Sequence, residues 1–467
     1  MKKILLSVLL CALAALFACT PASPAQTGAE ATCSDGETIA SPDTSETASP
    51  SVTDKDTADT ADQTEIQTGT QPGDVTEVLT GPATEPATEP VMQATDAPAV
   101  KGYVITEPGV AVVYGECTVD SVIAAKTTGY GVEALSDGKY FAVPVKLSEK
   151  GGTDVYVTAK APGMEESEAS SVRIKNRTVD DTGIVATLGS RMIQKKVLPD
   201  LYGTNKFTVK ELRTIADAAS YRVRKATEAA GKDVDIIYVI APDPMTVYPE
   251  EMTDEMKASV KEQSARLKQT VAALSDVEGV TVIDLTQTMT DNKSNGKIYY
   301  KLDSHWTQLG AFYAYTHIMQ TLGIEPRPVS DYEIVYKDID DTDINVYSGV
   351  GTGEMFESAP FLHALFEERA PYGKNREDTA RIWSFANEYF VGKVSDVKTD
   401  EEGLTALLLF DSYGFNLIPY LSEHYGRFVT QPAWEYSVDY SLVRKIKPDH
   451  IIEILAERDL SELLSAT

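Results

Sequence analysis

"ALLLFDSYGFNLIPYL", residues 406–421, is the stretch that decides the fold class. Its apolar run, 405–410, is typical of a strand buried on both faces, as in a parallel sheet. The run ends at Asp411 and Ser412, and a helical pattern begins near Tyr413. A strand that turns directly into a helix is the repeating unit of α/β domains.

The same alternation recurs in other parts of the chain. Further buried strands are predicted in "VDIIYVIAP" (234–242), "VTVIDL" (280–285) and "DHIIEILAER" (449–458). Helical spacing predicts helices over 208–231, 254–275, 307–322 and 413–424. Strands alternating with helices predict an α/β fold whose parallel sheet carries helices on both faces.

Ser412 lies where such a fold places its functional groups. In open α/β sheets, ligands bind at the carboxyl ends of the strands. A serine at a strand-to-helix turn is a candidate nucleophile, because backbone N–H groups and the helix dipole can stabilise an oxyanion there. The alternative is that Ser412 is only a helix N-cap, a position that serine often takes.

"YYKLDSHWTQ", residues 299–308, contains a candidate acid and base. The chain has 5 histidines, and His305 follows Asp303 by two residues and precedes Trp306. Asp303 can hold the imidazole in one tautomer so that His305 accepts the proton of a serine. A surface turn with a helix cap is the alternative. With Ser412, the sequence holds all three members of a Ser-His-Asp set.

The N-terminus is typical of an exported protein. Lys2 and Lys3 precede an apolar run over 4–17, which is short for a bilayer and fits a signal peptide. "LFAC" at 16–19 resembles the bacterial lipoprotein cleavage box. We therefore predict a signal peptide over 1–18, lipidation of Cys19, and an extracytoplasmic protein anchored to the cell membrane. An ordinary signal peptide that contains a cysteine is the alternative.

The next two segments differ sharply in composition. Residues 19–98 are rich in Thr, Pro and acidic residues and have no aromatic residue, so we predict a disordered linker. Residues 99–177 alternate short β-branched runs with turn residues, which predicts strands near 111–114, 121–125, 140–146 and 154–159. This segment resembles small bacterial immunoglobulin-like modules, small β-sandwiches. A spacer and a carbohydrate-binding module are both open as its role.

Charge and composition exclude some functions. The formal net charge of −29 argues against nucleic acid as a partner, because phosphate binding needs a basic surface. The sequence contains no CxxC motif and no Cys/His cluster, so it does not predict a zinc site. The acidic run "DIDDTDIN" (338–345) does not have EF-hand spacing, so a mobile loop at the rim of the site is predicted in place of a calcium site. We expect no metal and no cofactor.

The quoted motifs resemble SGNH-hydrolase-like proteins of the alginate O-acetylation type, AlgX and AlgJ, and the related DHHW proteins. Asp-x-His-Trp in "YYKLDSHWTQLGAFYAY" (299–315) is the specific match. "FDSYGFNLIPYLSEHYGRFV" (410–429), "KPDHIIEILAERDL" (447–460) and "YVIAPDPMTVYPEEM" (238–252) support it. The resemblance covers roughly residues 180 to 467 and implies an SGNH, flavodoxin-like domain over 178–467.

The resemblance implies roles for individual residues. In those families the Asp-x-His-Trp segment supplies acid and base, here Asp303 and His305, and a later Asp-Ser segment supplies the nucleophile, here Ser412. Apart from what the resemblance implies, Asn416 is a candidate for a second oxyanion donor or a substrate contact. Trp306 is expected to pack behind the His segment, with sugar stacking as the alternative.

Two positions depart from the family pattern. Phe410 stands where many members have Gly before Asp-Ser, which affects the turn near the oxyanion hole. The loop Pro242-Asp243-Pro244-Met245 has no Lys, which we expect in alginate members. This second departure argues against an alginate-like substrate more than against the chemistry.

Three function classes follow. The first is O-acetylation of an extracytoplasmic polysaccharide through an acetyl-enzyme, with a membrane-bound O-acyltransferase as acetyl source. The second is a carbohydrate O-acetyl esterase with the same triad and water as acceptor. The third is a surface polysaccharide-binding protein that has lost catalysis.

Overall fold

The structure of the chain is a computed structural model. The structure describes residues 92–465, apart from 176, 178, 352, 370–394, 401 and 433–436. The predicted signal peptide, Cys19 and the predicted linker up to residue 91 lie outside the described residues.

The described strands are β1 Ala99–Glu107, β2 Val110–Glu116, β3 Val122–Thr127, β4 Tyr130–Leu135, β5 Tyr140–Lys146, β6 Gly152–Lys160, β7 Ser170–Lys175, β8 Ile184–Ala186, β9 Met192–Gln194, β10 Asp235–Ala241, β11 Val280–Asp284, β12 Tyr332–Ile339, β13 Glu357–Ala364, β14 Ser395–Lys398, β15 Thr405–Phe410, β16 Arg427–Pro432 and β17 His450–Ala456. The described α-helices are α1 Leu198–Tyr202, α2 Val209–Ala230, α3 Pro244–Val247, α4 Asp254–Ser259, α5 Ala265–Ser275, α6 Thr286–Asn292, α7 Gln308–Thr321, α8 Asp343–Ser348, α9 Ile418–Leu421 and α10 Tyr440–Ile446.

The central sheet of the described chain has six strands in the order β11-β10-β17-β15-β16-β14. The first five are parallel to their neighbours, and β14 pairs with β16 in the antiparallel sense at one edge. The carboxyl ends of β10, β15 and β17 therefore meet along one edge of the sheet. This mixed α/β architecture agrees with the fold class predicted from the sequence.

Helices cover both faces of this sheet. Alternate residues of β10 enter two different cores, with Ile237 and Val239 in one and Ile236 and Ile240 in the other. The first core includes the apolar face of α7, and the second includes those of α2, α5 and α10. Because successive side chains of a strand point to opposite faces, a strand covered on both sides must be apolar throughout, which explains its unbroken hydrophobic run.

Strands β1 to β7 form two antiparallel sheets with the orders β1-β2-β5 and β4-β3-β6-β7. Buried side chains from both sheets, among them Val113, Ile123, Val143 and Val157, form one shared core. The four strands predicted for this segment are present. Its assignment to the immunoglobulin-like class stays a prediction.

The seven-stranded segment packs directly against the α/β part. Val112 and Ala142, from β2 and β5, share a buried cluster with Leu302 and Ile344. Tyr140 Oη donates to Asp338 Oδ2 over 2.9 Å across the same boundary. This segment thus buries apolar side chains next to the Asp303-His305 stretch, and its role as a spacer or a carbohydrate-binding module stays a prediction.

Residues 92–98, predicted as the end of the linker, contact the β segment. The Thr95 N–H and hydroxyl donate to the Glu165 carbonyl over 2.9 and 2.7 Å. The Ala161 N–H donates to Thr95 Oγ1 over 3.0 Å. These hydrogen bonds tie Thr95 to the β segment, although the polar composition of residues 92–98 resembles that of the linker.

One predicted helix is divided. Residues 254–275 form α4 and α5, separated by an irregular stretch in which Ser264 has a positive φ of 52°. The Ser264 hydroxyl is 2.8 Å from Thr246 Oγ1, and the Lys261 N–H donates to Tyr202 O over 3.0 Å. At Lys261 a tertiary contact thus replaces an intrahelical bond. No helix within the described residues is long and apolar enough to cross a membrane.

Candidate active site

The structure brings the three predicted residues into one hydrogen-bonded chain. His305 Nε2 is 2.7 Å from Ser412 Oγ, and His305 Nδ1 is 2.6 Å from Asp303 Oδ1. One imidazole therefore bridges a hydroxyl and a carboxylate that lie on separate segments, 107 residues apart for the His–Ser pair. This is the geometry in which a histidine accepts a serine proton while a carboxylate holds its tautomer.

Burial and charge favour an ionised Asp303. His305 is 2% exposed and Asp303 7%, whereas Ser412 is half-buried and accessible. Burial opposes ionisation of Asp303, but the adjacent His305 and hydrogen bonds from His305 and Asp343 outweigh it and hold its pKa below the usual range. The carboxylate is therefore charged at neutral pH and can stabilise an imidazolium.

Ser412 lies directly after β15, as predicted, but the following helix differs from the prediction. Residues 412–424 form a 3₁₀ helix Ser412–Asn416, α9, and a second 3₁₀ helix Ser422–His424. The N-cap is Asp411, whose side chain accepts from the Tyr413 N–H over 2.9 Å. Ser412 is thus not the N-cap. Because no long helix begins at Ser412, a helix dipole does not stabilise an oxyanion there. The groups that could do so are the individual backbone N–H groups of the tight turn.

Asp411 anchors the turn at Ser412 to the neighbouring strand. Its second oxygen accepts from the Ala456 N–H over 2.7 Å at the end of β17. Burial, together with the charge of Asp459, raises the pKa of Asp411 to about 7, although the two backbone N–H bonds oppose this rise. Asp411 therefore links the carboxyl ends of β15 and β17, directly beneath Ser412.

The unusual Phe410 is accommodated by a glycine four residues later. A Cβ at Gly414 would lie 2.4 Å from Phe410 Cβ, closer than side chains can approach. The Phe410 ring is fully buried and packs edge-on against Phe415, with centroids 5.2 Å apart. The bulk at position 410 is thus compatible with the turn because residue 414 has no side chain.

Trp306 supports the site from behind. Its ring is 0% exposed, its Nε1–H donates to the Tyr413 carbonyl over 3.0 Å, and the two rings meet edge-on at 4.8 Å. The indole therefore ties the His305 stretch to the Ser412 turn. The alternative that Trp306 stacks on a sugar is wrong, because no face of the ring reaches the surface.

Asn416 also has a contact within the protein. Its side chain is buried, and Nδ2 donates to the Trp306 carbonyl over 3.4 Å. A role as second oxyanion donor or substrate contact stays a prediction.

Arg458 and Asp243 form a buried ion pair beside the Asp303–His305 stretch and the Ser412 turn. Arg458 Nη1 donates to Asp243 Oδ1 over 2.6 Å and to the Tyr413 hydroxyl over 3.1 Å. It also lies 3.3 Å from the Ser304 carbonyl. Both side chains of the pair are almost completely buried. The first loop, which carries Asp243 where the alginate members are expected to differ, thus has a structural link to the triad.

Asp343 is a site residue that sequence reasoning did not identify. Within the predicted mobile loop over 338–345, residues 338–339 end β12, residues 340–342 connect the two elements and residues 343–345 begin α8, and Asp343 is buried. Its N–H donates to Asp303 Oδ2 over 3.2 Å. The acidic run was visible in the sequence, but which of its four Asp residues points inward depends on the tertiary fold.

Asp303, His305 and Asp343 also form a group with the spacing of a metal site. One ligand atom from each lies within 4.8 Å of the others. These atoms have partners in the protein, since Asp303 bonds His305 and Asp343 accepts hydrogen bonds from Ser304. These hydrogen bonds explain why the three side chains lie close together.

Residues 201–333 match the family described as "SGNH hydrolase-like domain, acetyltransferase AlgX". This confirms the resemblance that the sequence motifs predicted. The match includes Asp303 and His305 and ends before Ser412, and it spans less than half of the chain. No curated protein matches the sequence.

Several solved structures are similar to the chain. A DHHW family protein from Eubacterium siraeum is 12% identical with a TM-score of 0.42, covering 66% of this chain and 94% of its own. Bacillus cereus PatB1 with a sulfonyl adduct is 13% identical with a TM-score of 0.46, covering 61% and 98%. The O-acetyltransferase domain of Pseudomonas putida AlgJ is 13% identical with a TM-score of 0.35, covering 60% and 92%.

Proposed function

We propose, from the acetyltransferase family match over residues 201–333 and the site geometry, that the chain O-acetylates an extracytoplasmic polysaccharide. Ser412 is the nucleophile, His305 the general base and acid, and Asp303 the residue that orients the imidazole. The observation that carries the proposal is the continuous chain of hydrogen bonds from Asp303 Oδ1 through His305 to Ser412 Oγ.

The first half-reaction forms an acetyl-enzyme. Ser412 Oγ attacks the carbonyl carbon of an acetyl donor while its proton passes to His305 Nε2. The bond from that carbon to the donor's leaving group breaks, and His305 returns the proton to the leaving group. Asp303 stabilises the imidazolium between these steps. We assign the Ser412 N–H as one donor to the oxyanion.

The second half-reaction transfers the acetyl group from Ser412 to the sugar. A sugar hydroxyl gives its proton to His305 Nε2 and attacks the acetyl carbonyl carbon. The bond from that carbon to Ser412 Oγ breaks, and Oγ takes the proton back. A sugar acetate leaves and the enzyme returns to its starting state.

An acetyl esterase is the alternative that the accessibility of Ser412 also allows. Ser412 is only half-buried, so water can reach the acetyl group where no sugar excludes it. The two functions differ in the acceptor alone. A non-catalytic polysaccharide-binding protein is the third class, in which the same three side chains would form no acetyl-enzyme.

The test is to trap the intermediate and then offer acceptors. The ectodomain, mixed with p-nitrophenyl acetate and quenched in acid, is expected to carry one acetyl group on the peptide that contains Ser412. Neutral and anionic oligosaccharides are then added to separate reactions. An acetylated sugar supports transfer, and acetate alone supports the esterase. No turnover and no adduct with any donor contradicts both and favours the binding protein.

Anchoring through Cys19 and acetyl supply by a membrane-bound O-acyltransferase complete the proposal. Cys19→Ala is expected to leave the protein as unprocessed precursor or to release it from membranes, because acylation needs the thiol. Cys33→Ala, a matched change in the predicted linker, should remain membrane-bound. Fractionation with an intact-mass measurement checks both variants. Correctly cleaved Cys19→Ala that stays on the membrane would show that another feature anchors the chain.

A further inference from the structure

We propose that Asp343 is a positioning residue for the proposed reaction, holding the Asp303–His305 stretch in its productive geometry through two sets of hydrogen bonds. This inference rests on the proposed function and adds a residue that neither the sequence motifs nor the family match assigns. Asp343 acts through its neighbours, since Asp303 lies between it and His305.

The first set of bonds fixes the carboxylate of the triad. Asp303 Oδ1 accepts from the His305 backbone N–H over 3.1 Å and faces His305 Nδ1. Asp303 Oδ2 points the other way and accepts from the Asp343 backbone N–H over 3.2 Å. A carboxylate held at both oxygens cannot rotate without losing hydrogen bonds, so the Asp343 N–H helps to set the plane that Asp303 presents to the imidazole.

The second set fixes the residue between acid and base. The Ser304 N–H donates to Asp343 Oδ1 over 2.9 Å, and the Ser304 hydroxyl donates to Asp343 Oδ2. Residues 301–305 lie outside helices and strands. Their conformation therefore depends on such side-chain contacts. The backbone N–H of Asp343 binds the carboxylate of Asp303, and the side chain of Asp343 binds the neighbouring Ser304.

Asp343 can hold this stretch because α8 is itself held. The Thr342 hydroxyl caps α8 by accepting from the Asn345 N–H, and Asn345 Nδ2 donates to the carbonyls of Asp340 and Met355 over 2.7 and 3.0 Å. Ile344, next to Asp343, is fully buried in the cluster shared with β2 and β5. The β segment thus supports Asp343 from behind.

The carboxyl group of Asp343, which contacts Ser304, can also carry a negative charge. Burial and the adjacent Asp303 carboxylate raise the pKa of Asp343 to about 6, whereas His305 and Ser304 oppose this rise. The Tyr347 hydroxyl is a further titratable group close enough to interact electrostatically with Asp343. Above about pH 6 the ionised Asp343 accepts both bonds from Ser304; protonation removes one acceptor. The hydrogen-bond geometry, however, is what defines the positioning role.

The experiment compares Asp343→Ala with Asp343→Asn in the full ectodomain. Alanine removes both contacts to Ser304, and we expect kcat for p-nitrophenyl acetate to fall on the order of 10²-fold, because a misplacement of about 1 Å costs that much, with KM little changed. Asparagine keeps an acceptor for the Ser304 N–H and a donor for its hydroxyl, so it should restore kcat to within about tenfold. Asp217→Ala, an exposed position on α2, is the matched control and should not change kcat.

Two further measurements separate positioning from folding. Rates are divided by the number of sites that react with a serine-directed sulfonyl probe, so that unfolded protein does not count. The downfield proton resonance of the His305 Nδ1–H, which is independent of turnover, should weaken in Asp343→Ala and persist in Asp343→Asn. If alanine folds poorly, Ser304→Ala replaces it, with a several-fold loss of kcat expected.

The outcomes are distinct. Wild-type kcat per reactive site in Asp343→Ala, with an unchanged proton resonance, overturns the positioning role. If the wild type itself has no activity and no acetyl adduct, the proposed function fails, and the proton resonance alone then decides whether Asp343 orders the Asp303–His305 pair.

Discussion

Replacing Ser412 by alanine is expected to remove nearly all turnover of p-nitrophenyl acetate by the ectodomain. The members of a Ser-His-Asp set act as a unit, so the loss should be on the order of 10⁴-fold or more in kcat. His305→Ala should give a loss of similar size, because His305 Nε2 lies 2.7 Å from Ser412 Oγ and is the group placed to accept its proton.

The matched control is Ser220→Ala. Ser220 is an exposed serine on α2 whose hydroxyl bonds the Ala216 carbonyl over 2.9 Å, so the same chemical change there should leave turnover unchanged. Circular dichroism should show the native spectrum for all three variants. Wild-type turnover in Ser412→Ala would mean that another group is the nucleophile, and the proposed mechanism would then be wrong.

Asp303→Asn is expected to be the second most damaging change, with a loss on the order of 10⁴-fold in kcat. Asp303 accepts hydrogen bonds on both sides, from His305 at Oδ1 and from the Asp343 N–H at Oδ2. An amide has a donor on one side. With the amide NH₂ toward His305, the imidazole proton is driven to Nε2, where it blocks acceptance of the Ser412 proton. With the NH₂ toward Asp343, the amide donor faces the Asp343 backbone N–H, which is also a donor, so the hydrogen bond between these two residues is lost.

This variant is compared with Asp217→Asn, the same change at an exposed position of α2. Steady-state kinetics across pH and thermal unfolding should be recorded for both. We expect Asp303→Asn to fold and to lose activity at every pH, since the wrong tautomer does not depend on an external proton. Activity within about tenfold of wild type would show that Asp303 does not set the imidazole tautomer.

Much of the α/β architecture was predictable because its signal is local. A strand buried on both faces, such as β10 or β15, needs an apolar side chain at almost every position, and that pattern is readable without the rest of the chain. The stretch that carries Asp303 and His305 was recognisable for the same reason, since acid, base and tryptophan lie within four residues. The turn at Ser412 followed from where its strand ends.

Other elements were decided by contacts between distant segments. The hairpin of β12 and β13 was not predicted, because its register depends on 17 intervening residues whose composition resembles a loop. The helix expected over 413–424 divides into two 3₁₀ helices and α9, and the Tyr413 carbonyl accepts from Trp306 Nε1–H of a distant segment.

The sequence by itself determined the alternation of strands and helices and the net negative charge, and it indicated Asp303, His305 and Ser412 as candidate site residues, because each of these signals lies in residue types at short spacing. The tertiary structure alone decided that Ser412 meets His305 across 107 residues and that Asp343 points inward while other acids of its run do not. It also decided that the β segment packs behind the site. Burial is a property of what surrounds a side chain, and those surroundings come from segments far away in the chain.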